Sequence, residues 1–256
     1  MSPSFVVRIR YAKFSKVRFL SHRDMARLWE RAWRRAALPL RYSLGLQPRA
    51  RLSFGLALPT GAESVAEYLD VHLPDGETVG GDLLRGALAE SLPSGVQVLA
   101  AGVLRRPSTS LQESVTSNTW ELWIRGTPSE IDQAIGRFEA SASVPVQRER
   151  KGKVGVDDAK EFVSALRRVE ADVVRRTRPD GLAHVPALAE GGWVVLVADL
   201  VCGSRSLRPS ELVSVLGLGD RPVRLVRSAQ WTTQGSRRAE PLPLPTAADA
   251  HVGARA

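Results

Sequence analysis

An amphipathic helix beginning at Ser21 is the strongest local structural signal in this sequence. Ser21 suits the N-cap position, and Asp24, three residues later, suits the reciprocal position of a capping box. Pro39 predicts the end of the helix, because the residue before a proline avoids the α-helical region. The pattern predicts a helix over about residues 21–37 with one face packed on a core. Apolar residues recur along it with helical spacing, at Met25, Leu28, Trp29, Ala32 and Ala36.

Arginines occupy the other side of the same predicted helix. At about 100° per residue they cover an arc of roughly 120°. They are Arg23, Arg27, Arg31, Arg34 and Arg35. Two interpretations are open: a solvated surface, or a face that binds anions. We expect Trp29 and Trp33 to pack in the core and not to serve as platforms on which bases stack.

The positive charge of the chain is concentrated near its N-terminus. The formal net charge is +9, and residues 1–60 alone carry +11, because thirteen Lys and Arg oppose only Asp24 and Glu30. A localised positive field attracts polyanions such as nucleic acid or acidic membranes. This distribution favours anion binding by the arginine face and indicates RNA as the partner.

The predicted elements indicate an α+β protein. In the first part we expect strands at Phe5–Tyr11, Leu40–Leu44, Leu52–Leu58, Val65–Leu73 and Val96–Leu104, with helices at about 21–37 and Asp82–Leu92. This order is typical of a ferredoxin-like β-α-β-β-α-β unit, an antiparallel sheet with helices on one face. A second unit of similar order is predicted to follow.

Composition divides the chain into four predicted regions. Residues 1–104 form the basic ferredoxin-like domain, and the Ser/Thr-rich residues 105–118 a linker. Residues 119–230 form a second α+β ferredoxin-like domain, and the Pro- and Ala-rich residues 231–256 a disordered tail.

Within the second domain the clearest patterns are the helix Pro128–Ala140, with a proline in its first turn, and the apolar strand Trp193–Val201. A hairpin is predicted around the basic turn between Val144–Arg148 and Val154–Val156. Asp157–Arg168 is predicted to be helical or irregular, and residues 175–192 a loop insertion. Further predictions are a short helix at Pro209–Leu216 and a final strand at Val223–Arg227.

Several classes of site are excluded by composition. Cys202 is the only cysteine, so the chain has no intramolecular disulfide, no thiolate zinc site and no iron–sulfur cluster of its own. His72, His184 and His251 are scattered without metal-ligand spacing. We therefore expect no cofactor or metal in this chain. The absence of a signal peptide or an apolar span predicts a cytoplasmic protein without membrane association.

Four short runs resemble a known family. They are FSKVRFLSHRD from Phe14, RAWRRAALPLRYSLGLQP from Arg31, RLSFGLALPTGAES from Arg51 and AEYLDV from Ala66. Their order and spacing resemble the radical SAM-linked family of unknown function, which occurs as a separate chain or as the C-terminal domain of cobalamin-type radical SAM proteins. The resemblance covers about residues 5–104. It implies a radical SAM protein as partner, which would carry the cluster that this chain lacks.

The sequence departs from the usual pattern of that family at three positions. Arg23 stands where the family has leucine, Leu46 where it has phenylalanine, and Arg49 where it often has histidine. Without the phenylalanine and the histidine of the family, this loop is less suited to stacking on bases or to acid–base chemistry. The added arginines favour phosphate binding.

The loop around Gly45 is the second candidate site. Glycine permits close backbone approach, and backbone amides in such a turn can bind an anion. The alternative is a purely structural connection. The candidate loop residues are Tyr42, Ser43, Gly45, Gln47 and Pro48, with Arg41, Arg49 and Arg51 beside them. Arg8, Arg10, Arg18 and Arg41, on flanking elements, are expected to line one binding groove with this loop, and Lys16 is a further candidate for binding nucleic acid.

His22 is the candidate catalytic residue. Beside Tyr11 and Lys16 it could act as base or acid in a metal-independent endoribonuclease. The alternative is a histidine that only hydrogen-bonds the local turn. The leading hypothesis is a non-catalytic RNA-binding or substrate-presenting accessory subunit of a radical SAM enzyme. The endoribonuclease is the second hypothesis. The third hypothesis is a protein–protein adaptor that docks its basic face on the partner enzyme.

Overall fold

The computed structural model describes residues 5–77, 79–105, 109–150, 153–188, 191–203 and 205–242. The chain divides into two compact units. Unit 1 comprises Met1–Val115 with Trp231–Ala256, and unit 2 comprises Thr116–Gln230. Both contain helices and antiparallel strands, so the fold is mixed α+β.

Unit 1 is built around β1 in the middle of a sheet. The strand order is β4-β1-β3, with β2 paired to β3, and each of these pairings is antiparallel. A 3₁₀ turn at Ser15–Phe19 leads from β1 to α1. The elements are β1 (Phe5–Lys13), α1 (His22–Arg35), β2 (Leu52–Phe54), β3 (Glu63–His72), α2 (Gly81–Ser91), β4 (Val96–Arg105) and α3 (Leu111–Ser114).

Unit 2 contains four neighbouring strands of a sheet and a separate hairpin. The four strands have the order β10-β5-β9-β8, and β6 pairs with β7 apart from them. The elements are β5 (Val115–Arg125), α4 (Pro128–Ala140), β6 (Pro145–Arg150), β7 (Lys153–Asp158), β8 (Val163–Val169), α5 (Ala171–Arg176), β9 (Trp193–Val201), α6 (Pro209–Val215) and β10 (Val223–Gln234).

Alternation along β1 produces the core of unit 1. Val7, Ile9 and Tyr11 face one side of the sheet, where they pack in one cluster with residues of α1 and α2. Trp29 and Trp33 are fully buried in this cluster, and the Tyr11 and Trp29 rings meet edge to face at 4.9 Å. The expectation that both tryptophans belong to the core is confirmed.

The other face of β1 carries buried arginines. Arg8 donates two hydrogen bonds to the Asp70 carboxylate, at 2.7 and 2.8 Å. Arg10 forms an ion pair with Glu240 at 2.5 Å. The expectation that Arg8 and Arg10 line a binding groove is therefore wrong, because the cost of burying these cations is met by carboxylates of the same unit.

The chain returns to unit 1 near its C-terminus. A further strand, β11 (Arg237–Ala239), pairs with Thr232–Gln234 of β10. Leu242 then packs against Ala66, Tyr68 and Leu111. We call Glu240–Leu242 the C-terminal strap. The predicted disordered tail is wrong for residues 231–242; residues 243–256, including His251, lie outside the described residues.

Two further boundaries differ from expectation. The predicted linker 105–118 contains α3, capped reciprocally by Ser110 and Glu113, and the first residues of β5. Asp157–Arg168, predicted to be helical or irregular, contains a 3₁₀ turn at Ala159–Phe162 and most of β8. Pairing of β8 with β9 overrides the local preference of its Ala, Leu and Arg residues for helix.

Candidate polyanion-binding surface

The N-terminus of α1 is held by Ser21. Its side chain accepts a hydrogen bond from the Asp24 backbone amide at 3.2 Å, and its hydroxyl donates to the Asp24 carboxylate at 2.7 Å. The N-cap is as predicted, but Asp24 bonds the Ser21 side chain and not its backbone. The helix ends before Pro39, since Ala37 already has a left-handed φ of 54°.

All five arginines of α1 are exposed, but their pairing differs. Arg27 lies 3.8 Å from Asp24 and Arg34 lies 3.1 Å from Glu30, both in exposed pairs. Exposed pairs of this kind contribute about 0–1 kcal/mol, so a phosphate can displace the carboxylate at little cost. Arg23 and Arg31 make no hydrogen bond or ion pair with any described residue.

Arg31 and Arg35 lie one helical turn apart beside the same cavity. The Arg35 guanidinium donates to the Ser91 carbonyl at 3.2 Å, which fixes its orientation. The cavity has a volume of about 210 Å³, and it is lined also by Leu28, Ala32 and Ser91–Pro93. Two guanidiniums at one open cavity are suited to a group of phosphate size.

The second candidate site is a projecting hairpin, Arg41–Arg51, which we call the basic hairpin. Its base is held by the end of β3, because Arg41 donates its amide to the His72 carbonyl and His72 donates to the Arg51 carbonyl. The Ser43 amide donates to the Arg49 carbonyl at 2.8 Å. The predicted strand Leu40–Leu44 is wrong, since the hairpin contains only a single bridge between Tyr42 and Ala50.

Positive charge lies on both sides of the basic hairpin. Arg41 forms an ion pair with Asp75 at 2.7 Å. Arg49 and Arg51 are exposed, and their side chains have no partner among the described residues. Gly45, at the tip, has φ +127°, a value that favours glycine. Tyr42, Gln47 and Pro48 are exposed, and Ser43 is half-buried.

Backbone amides contribute less to this site than the sequence suggests. The amides of Ser43, Arg49 and Arg51 all donate within the hairpin. They are therefore committed to its own structure. The groups of the basic hairpin that remain available to an anion are its arginine side chains.

The 3₁₀ turn before α1 carries the remaining predicted cations. Lys16 is exposed and unpartnered within the described chain. Arg18 donates to the Ser15 carbonyl at 3.0 Å, and its guanidinium lies 4.3 Å from the centre of the exposed Phe19 ring. The arginines of α1 and those of the basic hairpin form two groups, and no hydrogen bond or ion pair between described residues joins them.

His22 lies against Phe54 and lacks the partner that a general base requires. The two rings meet edge to face at 4.9 Å, and no described residue hydrogen-bonds the imidazole. A cavity of about 20 Å³, room for one water, is lined by Tyr11, Lys13, His22 and Glu67. Tyr11 and His22 thus come together as predicted, but Lys13 takes the place expected for Lys16.

Lys13, which was not among the residues predicted beside His22, lines the same cavity. Lys13 is two residues after Tyr11 on β1, so strand alternation places the two on the same face. Its ammonium group donates to the Leu20 carbonyl at 2.9 Å, immediately before α1. Alternation alone could have identified it.

Two general features of the described residues bear on function. Among them, no group of three or more His, Cys, Asp and Glu side chains is arranged to hold a metal ion. No helix in the described ranges is both long enough and apolar enough to cross a membrane.

Residues 7–186 match the family described as "Uncharacterized protein conserved in bacteria (DUF2344)". The chain belongs to this family. The matched residues include α1, the basic hairpin and the first part of unit 2. Both candidate sites therefore lie within the region that matches the family. No curated protein matches the chain.

One solved structure with a similar extent is the "Crystal Structure of an Unknown Protein from Galdieria sulphuraria". It is 13% identical, and the alignment covers 89% of this chain and 99% of that one. The TM-score is 0.23.

Proposed function

We propose that this DUF2344 protein is a cytoplasmic, non-catalytic RNA-binding or substrate-presenting accessory subunit. The phosphate backbone binds to the arginine face of α1 and to the basic hairpin. The observation that carries the proposal is the contrast between two sets of arginines in unit 1. Arg8 and Arg10 are buried against carboxylates, whereas the exposed side chains of Arg23, Arg31, Arg49 and Arg51 have no partner among the residues that the structure describes.

Exposed, unpaired cations are the groups that a polyanion uses best. Binding RNA releases condensed counterions, and each phosphate contact contributes to the salt dependence of affinity. Arg27 and Arg34 add to the surface, since their exposed pairs with Asp24 and Glu30 exchange easily. Arginine also offers a planar donor array that matches two phosphate oxygens.

The test is a filter-binding titration with structured RNA at several salt concentrations. The double variant Arg23→Glu/Arg31→Glu should bind at least about tenfold more weakly, with a salt slope reduced by about 1.4 to 1.8, because two contacts are lost. Arg137→Glu/Arg176→Glu is the matched control, since both are exposed arginines on helices of unit 2 and the change in net charge is identical. Equal losses in both double variants would contradict the proposal.

We also propose that each unit is ferredoxin-like, as a tandem pair. Two strand orders support this: β4-β1-β3-β2 in unit 1 and β10-β5-β9-β8 in unit 2. The strands can be numbered 1 to 4 along each unit, as β1, β2, β3 and β4 in unit 1 and as β5, β8, β9 and β10 in unit 2. Both sets of four strands then have the ferredoxin-like order 4-1-3-2. In this interpretation the β6–β7 hairpin is an insertion in the second unit. An experimental structure with another strand order would exclude it.

The partner in this proposal is a radical SAM protein. Support comes from the four sequence runs between Phe14 and Val71 and from the single cysteine, which leaves the chain unable to hold an iron–sulfur cluster. Co-expression with a radical SAM protein encoded beside the gene, followed by affinity purification, tests the partnership. Retention of the complex after nuclease treatment, with no RNA affinity of the isolated chain, would favour the adaptor alternative instead.

Metal-independent RNA cleavage by His22 is the second candidate function. The water-sized cavity that His22 shares with Tyr11 and Lys13 favours it. The chain would be incubated with RNA in the presence of a chelator, beside His22→Ala. Cleavage by the wild type that is abolished in His22→Ala would establish an enzyme. Because no described residue hydrogen-bonds the imidazole and orients it, we expect no cleavage.

A further inference from the structure

The tip of the basic hairpin exposes two leucines completely. Leu44 has a relative exposure of 100% and Leu46 of 104%, the highest among the large apolar side chains of the described residues. At Gly45, between them, an added Cβ would meet no atom within 4 Å. The tip therefore stands clear of the rest of unit 1, and its apolar side chains do not contribute to the core.

The stem below the tip is fixed and positively charged. Ser43 and Arg49 bond across it twice, at 2.8 Å from the Ser43 amide and at 3.0 Å to the Ser43 hydroxyl. The side chains of Arg49 and Arg51 project from it and have no partner within the described ranges. The arrangement is an apolar tip on a rigid stem with cations at its base.

We propose that the basic hairpin is a wedge that enters base-paired RNA at a bulge or junction. Leu44 and Leu46 insert beside a weakly stacked base, while Arg49 and Arg51 hold the flanking phosphates. Apolar side chains inserted between base steps, with arginines beside them, are an established way to unstack a duplex. An interrupted helix is the favoured substrate, because the bases of a regular RNA duplex are stacked and its deep groove excludes side chains. The inference rests on the proposed RNA-binding function.

Charge favours this occupant over a protein. Among the described residues, the arginines of the basic hairpin have one carboxylate partner, Asp75, so the local field is positive and suited to phosphates. A stable protein interface buries about 800 Å² on each side. Two leucines on a narrow projection provide only a small part of such an area. Wedge insertion needs no larger apolar surface.

The experiment uses the full chain and a bulged RNA stem with 2-aminopurine beside the bulge. Unstacking raises the fluorescence of this base, so we expect an increase when the wild type binds. Leu44→Ser/Leu46→Ser should abolish the increase and weaken binding to the bulged stem by about tenfold, while affinity for single-stranded RNA stays within about twofold. Leu83→Ser is the control, an exposed leucine on α2, and should behave as wild type.

The outcomes separate the wedge from the function on which it rests. A wild type that binds no RNA at low salt overturns the proposed function, and the wedge with it. Wild-type binding without a fluorescence increase, or an increase that survives in the double variant, overturns the wedge alone. Sedimentation with anionic vesicles that is lost in the double variant, with RNA binding and fluorescence unaffected, would assign the tip to a membrane surface and also overturn the wedge. Circular dichroism of each variant confirms that it is folded.

Discussion

Cys202 follows β9 and is partly buried, with its sulfur 3.2 Å from the Asn118 side-chain amide. Burial raises the pKa of the Cys202 thiol to about 11, against a smaller opposing effect of Arg227. The thiol therefore stays protonated at neutral pH, and the thiolate is the reactive form. We expect slow alkylation by iodoacetamide at pH 8 in the native protein and fast alkylation in urea. Comparable rates in the two states would show that Cys202 is accessible and reactive.

Glu130, in the first turn of α4, should make the stability of unit 2 depend on pH in the acid range. Its pKa is lowered to about 2, mainly by the hydrogen bonds from Arg221 and then by those from Thr127. Its unfolded value is near 4.5. Stability from this group is therefore complete above the unfolded value and is lost as pH falls towards about 2.

The variant Glu130→Gln should reveal this contribution in thermal unfolding. The difference in Tm between wild type and variant should be largest at about pH 6 and shrink by about pH 3, as protonation of the unfolded state removes the advantage of the wild type. Glu139→Gln, an exposed change on the same helix, is the control. A difference that is constant over this range would show that Glu130 does not titrate with folding.

At the scale of elements, the C-terminal strap stabilises unit 1 through one buried ion pair. Arg10 is nearly inaccessible, and Glu240 is its carboxylate partner. Glu240→Ala leaves this cation buried without its partner, and removing one partner of a buried pair costs about 3–5 kcal/mol. Urea unfolding should show a loss of this size, against little change for the exposed Glu90→Ala. A loss below about 1 kcal/mol would indicate that water reaches Arg10.

Elements with strong local signals could be predicted from the sequence. Helix α4 begins and ends at the predicted residues, because Thr127 caps it, Pro128 starts it and its apolar spacing is regular. The run Trp193–Val201 is apolar enough to require a buried strand, which is β9. In β8 the local preference for helix gives way to pairing with β9, so the sequence misleads there.

In the C-terminal strap and the candidate site, long-range contacts that local sequence does not show decide the structure. The sequence PLPLP indicates disorder, and nothing local reveals that Glu240 pairs with an arginine 230 residues away. Likewise Arg8 and Arg23 are equivalent in a charge count, although one is buried and the other exposed. Which arginines remain free for a ligand depends on long-range contacts.

Over the whole molecule, ion pairing makes the two units electrostatically different. In unit 2 several arginines are committed to carboxylates: Arg148 to Asp157 and Glu211, Arg168 to Asp132 and Glu170, Arg178 to Glu121, and Arg221 to Glu130. In unit 1 the buried Arg8 and Arg10 are committed to carboxylates, whereas the ion pairs of Arg27, Arg34 and Arg41 lie at the surface. Among the described residues, the side chains of Arg23, Arg31, Arg49 and Arg51 have no partner. Polyanion binding should therefore depend on unit 1, whatever the net charge of the chain.

The number of available cations predicts the salt dependence of RNA binding. The exposed cations of α1, of the turn before it and of the basic hairpin whose side chains have no partner among the described residues are Lys16, Arg23, Arg31, Arg49 and Arg51. At about −0.7 per contact on a single strand, these five predict a log–log slope of about −3.5. Arg49→Ala/Arg51→Ala should reduce the slope to about −2.1, because two contacts are lost while the face of α1 is unchanged. An unchanged slope in this variant would place the RNA on α1 alone, whereas a wild-type slope near zero would exclude phosphate binding as the source of affinity.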